Sequence, residues 1–121
     1  MKKNKLTNPS IPKIIPSKTL LEIKEILLKN HAFLKEKYSV KRLSIFGSYI
    51  RGEQTKKSDV DLLVEFEVTP GFAFIRLADE LEQLLGVKID LLTPEMIRHN
   101  PYLKKSIEED LTLIFWFFYM I

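Results

Sequence analysis

Cysteine is missing from all 121 residues, which removes thiolate metal sites, nucleophilic cysteine catalysis and disulfide cross-links together. A chain of this length needs no cross-links, because as one domain it buries roughly two-thirds of its unfolded surface. The two histidines, His31 and His99, are isolated, with no metal-ligand partner at useful spacing, and both are expected on the surface. No apolar run reaches the roughly 20 residues that a membrane-spanning helix requires; the longest, LTLIFWFFYMI from Leu111 to Ile121, is too short to cross. The opening MKKNKLTNPSIPKIIPS starts with positive charge as a secretory signal does, but Pro9, Pro12 and Pro16 interrupt any apolar core and no small-residue cleavage site follows. Residues 1–17 therefore read as a flexible tail, and the cytoplasm as the compartment. A dense basic stripe is lacking as well. Much of the +3 net charge comes from Lys2, Lys3, Lys5 and Lys13 in that tail, so a duplex-binding surface is a poor fit.

What is present is a run of alternating helices and strands, without internal repeat or interdomain linker. TLLE, with Thr19 as N-cap and Glu22 three residues on, is a capping box that predicts a helix from Leu20 to about Tyr38. Its apolar face is Leu20, Ile23, Leu27 and Leu34, with Ile26 and Phe33 beside them. A strand over Lys41 to Phe46 stops at Gly47, and a short helical turn runs from Ser48 to Arg51. Gly52 and the polar EQTKKS then lead to a second strand, Asp59 to Phe66. After a turn at Thr69-Pro70-Gly71, Phe72 to Leu85 carries Ile75, Ala78, Leu81 and Leu85 at helical spacing, with Gly86 as C-cap. Val87 to Leu92 is a third strand, Thr93-Pro94 opens a short helix, and a last helix follows Pro101 through Ile107.

The second strand poses a physical problem. Asp59 and Asp61 stand at the mouth of the apolar run VDLLV, where low dielectric and mutual repulsion both oppose ionisation. Two positions apart on a strand, they project from one face about 6 to 7 Å apart at the backbone and can converge on a divalent ion. Oxygen-only ligands favour a hard cation, and Mg²⁺ fits best because it takes a few carboxylates together with phosphates and water. Asp90, between Ile89 and Leu91, repeats the anomaly; it joins the pair if the strands are neighbours, or else pairs with one of the many lysines. Gly47 and Ser48 at the end of the first strand either admit a phosphate close to the backbone, with the serine hydroxyl in reach, or make a tight turn. Arg51 either reaches phosphates or holds its loop by pairing with Glu53 or a local carbonyl.

The order G-S at 47 and 48, ten intervening residues, D-V-D at 59 to 61 and a third acid in KIDLLT resembles the minimal nucleotidyltransferases of the DNA polymerase beta superfamily, encoded beside HEPN-domain ribonuclease toxins. The likeness runs from about Leu20 to Leu111 and includes FGSYIRG, SDVDLLVEF, PGFAFIRLADELEQLLG and VKIDLLTPE. It implies an α/β (α+β) fold, a small mixed sheet flanked by helices over residues 18–110. It also implies an antitoxin enzyme that transfers AMP from ATP to a tyrosine hydroxyl of the toxin. Gly47 and Ser48, with Arg51 nearby, would grip the triphosphate, and Asp59, Asp61 and Asp90 would hold two Mg²⁺ ions. The apolar segment 111–121 departs from the family pattern, and is expected to be a partner contact, a terminal strand, a buried segment or the product of an altered reading frame. Two other readings stand beside transfer to a toxin: a non-catalytic antitoxin that acts by binding, and nucleotidyl transfer to RNA or a small molecule.

Overall fold

The computed structural model describes residues 18–117; the expected tail, 1–17, and the end of the apolar segment, 118–121, lie outside the described residues. The capping box forms as expected. The Glu22 N–H donates to the Thr19 hydroxyl at 3.1 Å, and the Thr19 N–H donates to the Glu22 carboxylate at 2.8 Å. It opens α1, Leu20–Lys29. The single helix expected to continue to Tyr38 is instead broken at Asn30, whose side-chain amide donates to the Ile26 carbonyl at 2.8 Å. Such a local side-chain bond competes with the helical ladder, and α2, His31–Tyr38, starts afresh beyond it. Ile23, Leu27 and Leu34 are buried as expected, whereas Phe33 is turned outward, where its ring meets the edge of Tyr38 and the Lys37 ammonium.

The remaining elements are β1 (Val40–Phe46), α3 (Ser48–Arg51), β2 (Val60–Phe66), α4 (Ala73–Leu85), β3 (Ile89–Leu92), α5 (Pro94–Arg98), α6 (Pro101–Asp110) and β4 (Thr112–Trp116). The sheet order is β3-β2-β1-β4. β1 is antiparallel to β2 and to β4, while β2 and β3 are parallel and joined by the α4 crossover. This is the mixed sheet with flanking helices that the sequence led us to expect. Residues 112–116 of the C-terminal apolar segment are a strand of this sheet, with Ile114 and Phe115 buried beside β1. The His31 ring stacks on Phe117 just beyond, 5.5 Å between centroids.

Helices cover both faces of the sheet. On one side α1, α2 and α4 bury Ile23, Leu27, Leu34, Leu77, Leu81 and Leu85 against Leu43, Ile45, Val60, Leu62 and Val64. On the other, Ile97 of α5 and Ile107 of α6 pack on Phe46 and Leu63. Ile75 was expected on the inner stripe of α4 but is 60% exposed; Leu77 takes the inward place, four residues ahead of Leu81. Leu62 sits on the central strand with no exposed surface. Leu62→Ala should therefore cost about 3 kcal/mol, from lost burial plus the cavity left behind, read as a lower urea midpoint at unchanged slope.

Candidate active site

Three chain segments meet at one end of the sheet, where β1 stops and β2 and β3 begin. Phe46, the last residue of β1, pairs with Asp61 of β2, and Asp61 pairs on its other side with Asp90 of β3. In parallel register, side chains of paired residues leave the same face, so Asp61 and Asp90 project together from strands about 4.8 Å apart. That face is the one on which Phe46 and Leu63 meet α5 and α6. Asp59 lies two residues before Asp61, one position outside β2 rather than within it. Asp59 and Asp90 are exposed, whereas Asp61 is half-buried.

The glycine that ends β1 has a specific reason to be glycine. Gly47 adopts φ 87°, ψ −153°, a region costly for any residue with a side chain. A Cβ at this position would stand 2.1 Å from Oδ2 and 3.0 Å from Cγ of Asp61. The Asp61 carboxylate thus lies directly against the Gly47 backbone. Burial raises the Asp61 pKa first, the Asp90 and Asp59 charges raise it further, and the nearby Arg51 opposes them, leaving it at about 6. At neutral pH the site concentrates negative charge that the protein only partly offsets.

Ser48 follows as the first residue of α3 and is partly exposed. Arg51, the last residue of that turn, donates from Nε to Glu53 at 2.8 Å and from Nη1 to Asp110 at 2.8 Å. The pairing with Glu53 is one of the two roles its sequence position allowed. Asp110 was not foreseen. Its Oδ2 also accepts the Gly47 N–H at 3.2 Å, so the end of α6 closes the site. The available signal was an acid at the C-terminal end of a helix, where the helix dipole disfavours one, three residues after the buried Ile107.

Among the described residues no three acidic or histidine side chains are drawn together tightly enough to enclose an ion by themselves. The donors are all carboxylate oxygens, one of them half-buried and under repulsion. Such a set suits Mg²⁺, which keeps water and substrate phosphates among its ligands instead of taking an all-protein cage. At the far end of β2 an open groove of about 670 Å³, lined by Phe66, Pro70, Phe74, Pro94 and Met96 among others, is separate from the acids. No described helix is long and apolar enough to cross a membrane.

Residues 27–114 match the nucleotidyltransferase domain family, and the chain belongs to it. Its relatives are the small members of that class. A Methanocaldococcus jannaschii protein named as a candidate protein adenylyltransferase is 55% identical over 100 residues, which cover 80% of this chain and 99% of that one. A solved candidate minimal nucleotidyltransferase is similar with a TM-score of 0.60 at 32% identity, covering 75% of this chain and 92% of the other. The fold is also that of an MNT antitoxin solved in complex with a tri-AMPylated HEPN toxin from Shewanella oneidensis. There the TM-score is 0.53 at 17% identity, covering 78% of this chain and 73% of that one. The chain is thus a minimal nucleotidyltransferase, in the group whose curated relatives carry the protein adenylyltransferase name.

Proposed function

We propose that the protein is an antitoxin that transfers AMP from ATP to a tyrosine hydroxyl of a HEPN-domain ribonuclease toxin, in the cytoplasm. The single observation that carries this reading is the meeting of Asp61 and Asp90 in parallel register beside the Gly47 backbone. The AMPylated toxin held by the structurally similar antitoxin supports the choice of acceptor.

The chain's residues divide the work by position. Gly47 and Ser48 receive the triphosphate at the end of β1, and Arg51 stands at the close of the same turn. Asp59, Asp61 and Asp90 would hold two Mg²⁺ ions together with phosphate oxygens and water. Bound Mg²⁺ supplies neutralising charge for the triphosphate and the departing pyrophosphate. A tyrosine hydroxyl, with a pKa near 10, is a weak nucleophile at neutral pH. Asp90, exposed at the edge strand, accepts its proton as the phenolic oxygen bonds to the α-phosphorus. The bond from that phosphorus to the oxygen bridging toward the β-phosphate breaks, and pyrophosphate leaves without a covalent enzyme intermediate. The small domain leaves the acceptor's own fold to present the tyrosine.

The test incubates the purified protein with ATP, Mg²⁺ and the HEPN protein encoded next to it. Mass spectrometry should find AMP on a toxin tyrosine, and the Asp59→Asn/Asp61→Asn chain should leave the toxin unmodified. A toxin that stays unmodified with the wild type rejects the proposal. Protection of cells by the double variant would show neutralisation by binding alone, and label recovered in RNA or small molecules would redirect the acceptor.

A further inference from the structure

We infer that Asp110 is a positioning residue for nucleotide binding, one carboxylate oxygen fixing both the Gly47 backbone and the Arg51 guanidinium at the mouth of the site. This rests on the nucleotidyl-transfer reading above and adds to it a fourth acid, contributed by the C-terminal end of α6.

The geometry spans the whole of α3. Oδ2 of Asp110 accepts from Gly47 N–H at 3.2 Å, just before the turn, and from Arg51 Nη1 at 2.8 Å, at its end. Between these two anchors lies Ser48. The backbone bonds of this four-residue turn, from Ile50 and Arg51 to the Gly47 carbonyl and from Glu53 to the Ser48 carbonyl, are all local; the buried Tyr49 ring anchors its middle in the core, and the Asp110 contacts fix its two ends. Arg51 is also held by Glu53, through Nε, so its guanidinium is tethered by two carboxylates.

Asp110 is itself rigidly delivered. Leu103, Ile107 and Leu111 pack against Phe46 and Leu63, and Asp110, three residues beyond Ile107, lies on that inward side of α6. Its side chain is only 13% exposed. The Thr112 hydroxyl donates to the Asp110 carbonyl at 3.1 Å, tying the helix end to β4. The carboxylate faces the negative end of its own helix dipole and adds to the charge around Asp61. Among the described residues, only the Gly47 amide and Arg51 offset that cost, which places the benefit of the residue at the site and not in the helix.

Steady-state transfer to the toxin, with melting curves to establish folding, tests this. Asp110→Ala should raise KM for MgATP about tenfold while kcat changes less than about threefold. Asp110→Asn, which keeps an acceptor for Gly47 but loses the ion pair, should fall between. In an Arg51→Gln background the effect of either substitution should shrink, because part of the interaction is already gone; a residue that merely supports the fold would lower the melting temperature and leave KM alone. A KM within twofold of wild type in folded Asp110→Ala overturns the inference, and so does tighter ATP binding, which would make Asp110 a competitor of the phosphates. Should Asp110→Ala not fold, Asp110→Asn decides by the same criterion. Should the wild type transfer no AMP, the function proposed above fails separately, and titration with a fluorescent ATP analogue in Mg²⁺ still reads the tenfold difference.

Discussion

Asp61→Asn is expected to abolish AMP transfer while making the metal-free protein more stable. Loss of activity should be about 10³-fold or more, since the substitution removes the charged oxygen of the proposed cation ligand. The gain in stability has the opposite sign because the carboxylate is half-buried beside Asp90, Asp59 and Asp110, with Arg51 the only opposing charge among the influences on its pKa. Solvent screens part of that penalty, so relief is about 1 kcal/mol, or about 4 °C in melting temperature for a domain of this size. The pH dependence follows from the same shift. Asp61 has a folded-state pKa of about 6 against 3.8 in its ordinary state, so the folded protein holds that proton more tightly. Stability linked to Asp61 is full below about pH 4 and is lost as pH rises through about 6. In EDTA, the gap in melting temperature between Asp61→Asn and wild type should widen from pH 4 to 7, and Mg²⁺ with ATP should close it. A wild type that melts no lower than the variant at pH 7 in EDTA would contradict this electrostatic origin.

Gly47→Ala should be the most damaging single methyl in the chain. Its Cβ would enter the space of the Asp61 carboxylate, 2.1 Å from Oδ2, and would hold an alanine at φ 87°. Backbone strain of this kind costs about 1 to 3 kcal/mol, and relieving the clash requires moving either β2 or the Asp61 side chain. Stability should fall by about 3 kcal/mol and transfer by more than about 100-fold, because the displaced group is the proposed cation ligand. Combining Gly47→Ala with Asp61→Ala separates the two contributions. The collision disappears with the carboxylate while the backbone strain stays, so urea melts should show the pair less destabilised than the sum of the single substitutions. Strict additivity would mean that the two residues do not meet.

Local chemistry made much of the fold legible. The capping box at Thr19, the αL glycine at Gly86 closing α4, and Thr93 with Pro94 opening α5 all form where their side-chain chemistry demands. The fold departs from these local signals where two preferences compete or where the packing partner selects among equivalent stripes. Asn30 splits the first helix by bonding back to Ile26, and a chain that is helical on both sides of it gives no periodic sign of the break. Ile75 and Leu77 both fit a helical apolar stripe. The sheet beneath α4 selects Leu77, because it stacks with Leu81 and Leu85 on the strands.

The acids were conspicuous for a reason that needs no structure: carboxylates at an apolar strand mouth are unfavourable unless something compensates. Sequence therefore determined which residues to suspect, the order of helices and strands, and the phosphate and cation chemistry that a G-S and D-V-D pattern allows. Only the tertiary structure decided that Asp90 stands opposite Asp61, that the Gly47 backbone touches the Asp61 carboxylate, and that Asp110 reaches back 59 residues to Arg51. It also decided that the apolar segment after Leu111 contributes an edge strand to the sheet. These are contacts between elements distant in the chain, set by strand register and helix docking, and a one-residue slip in strand register would send the same side chains to the opposite face of the sheet.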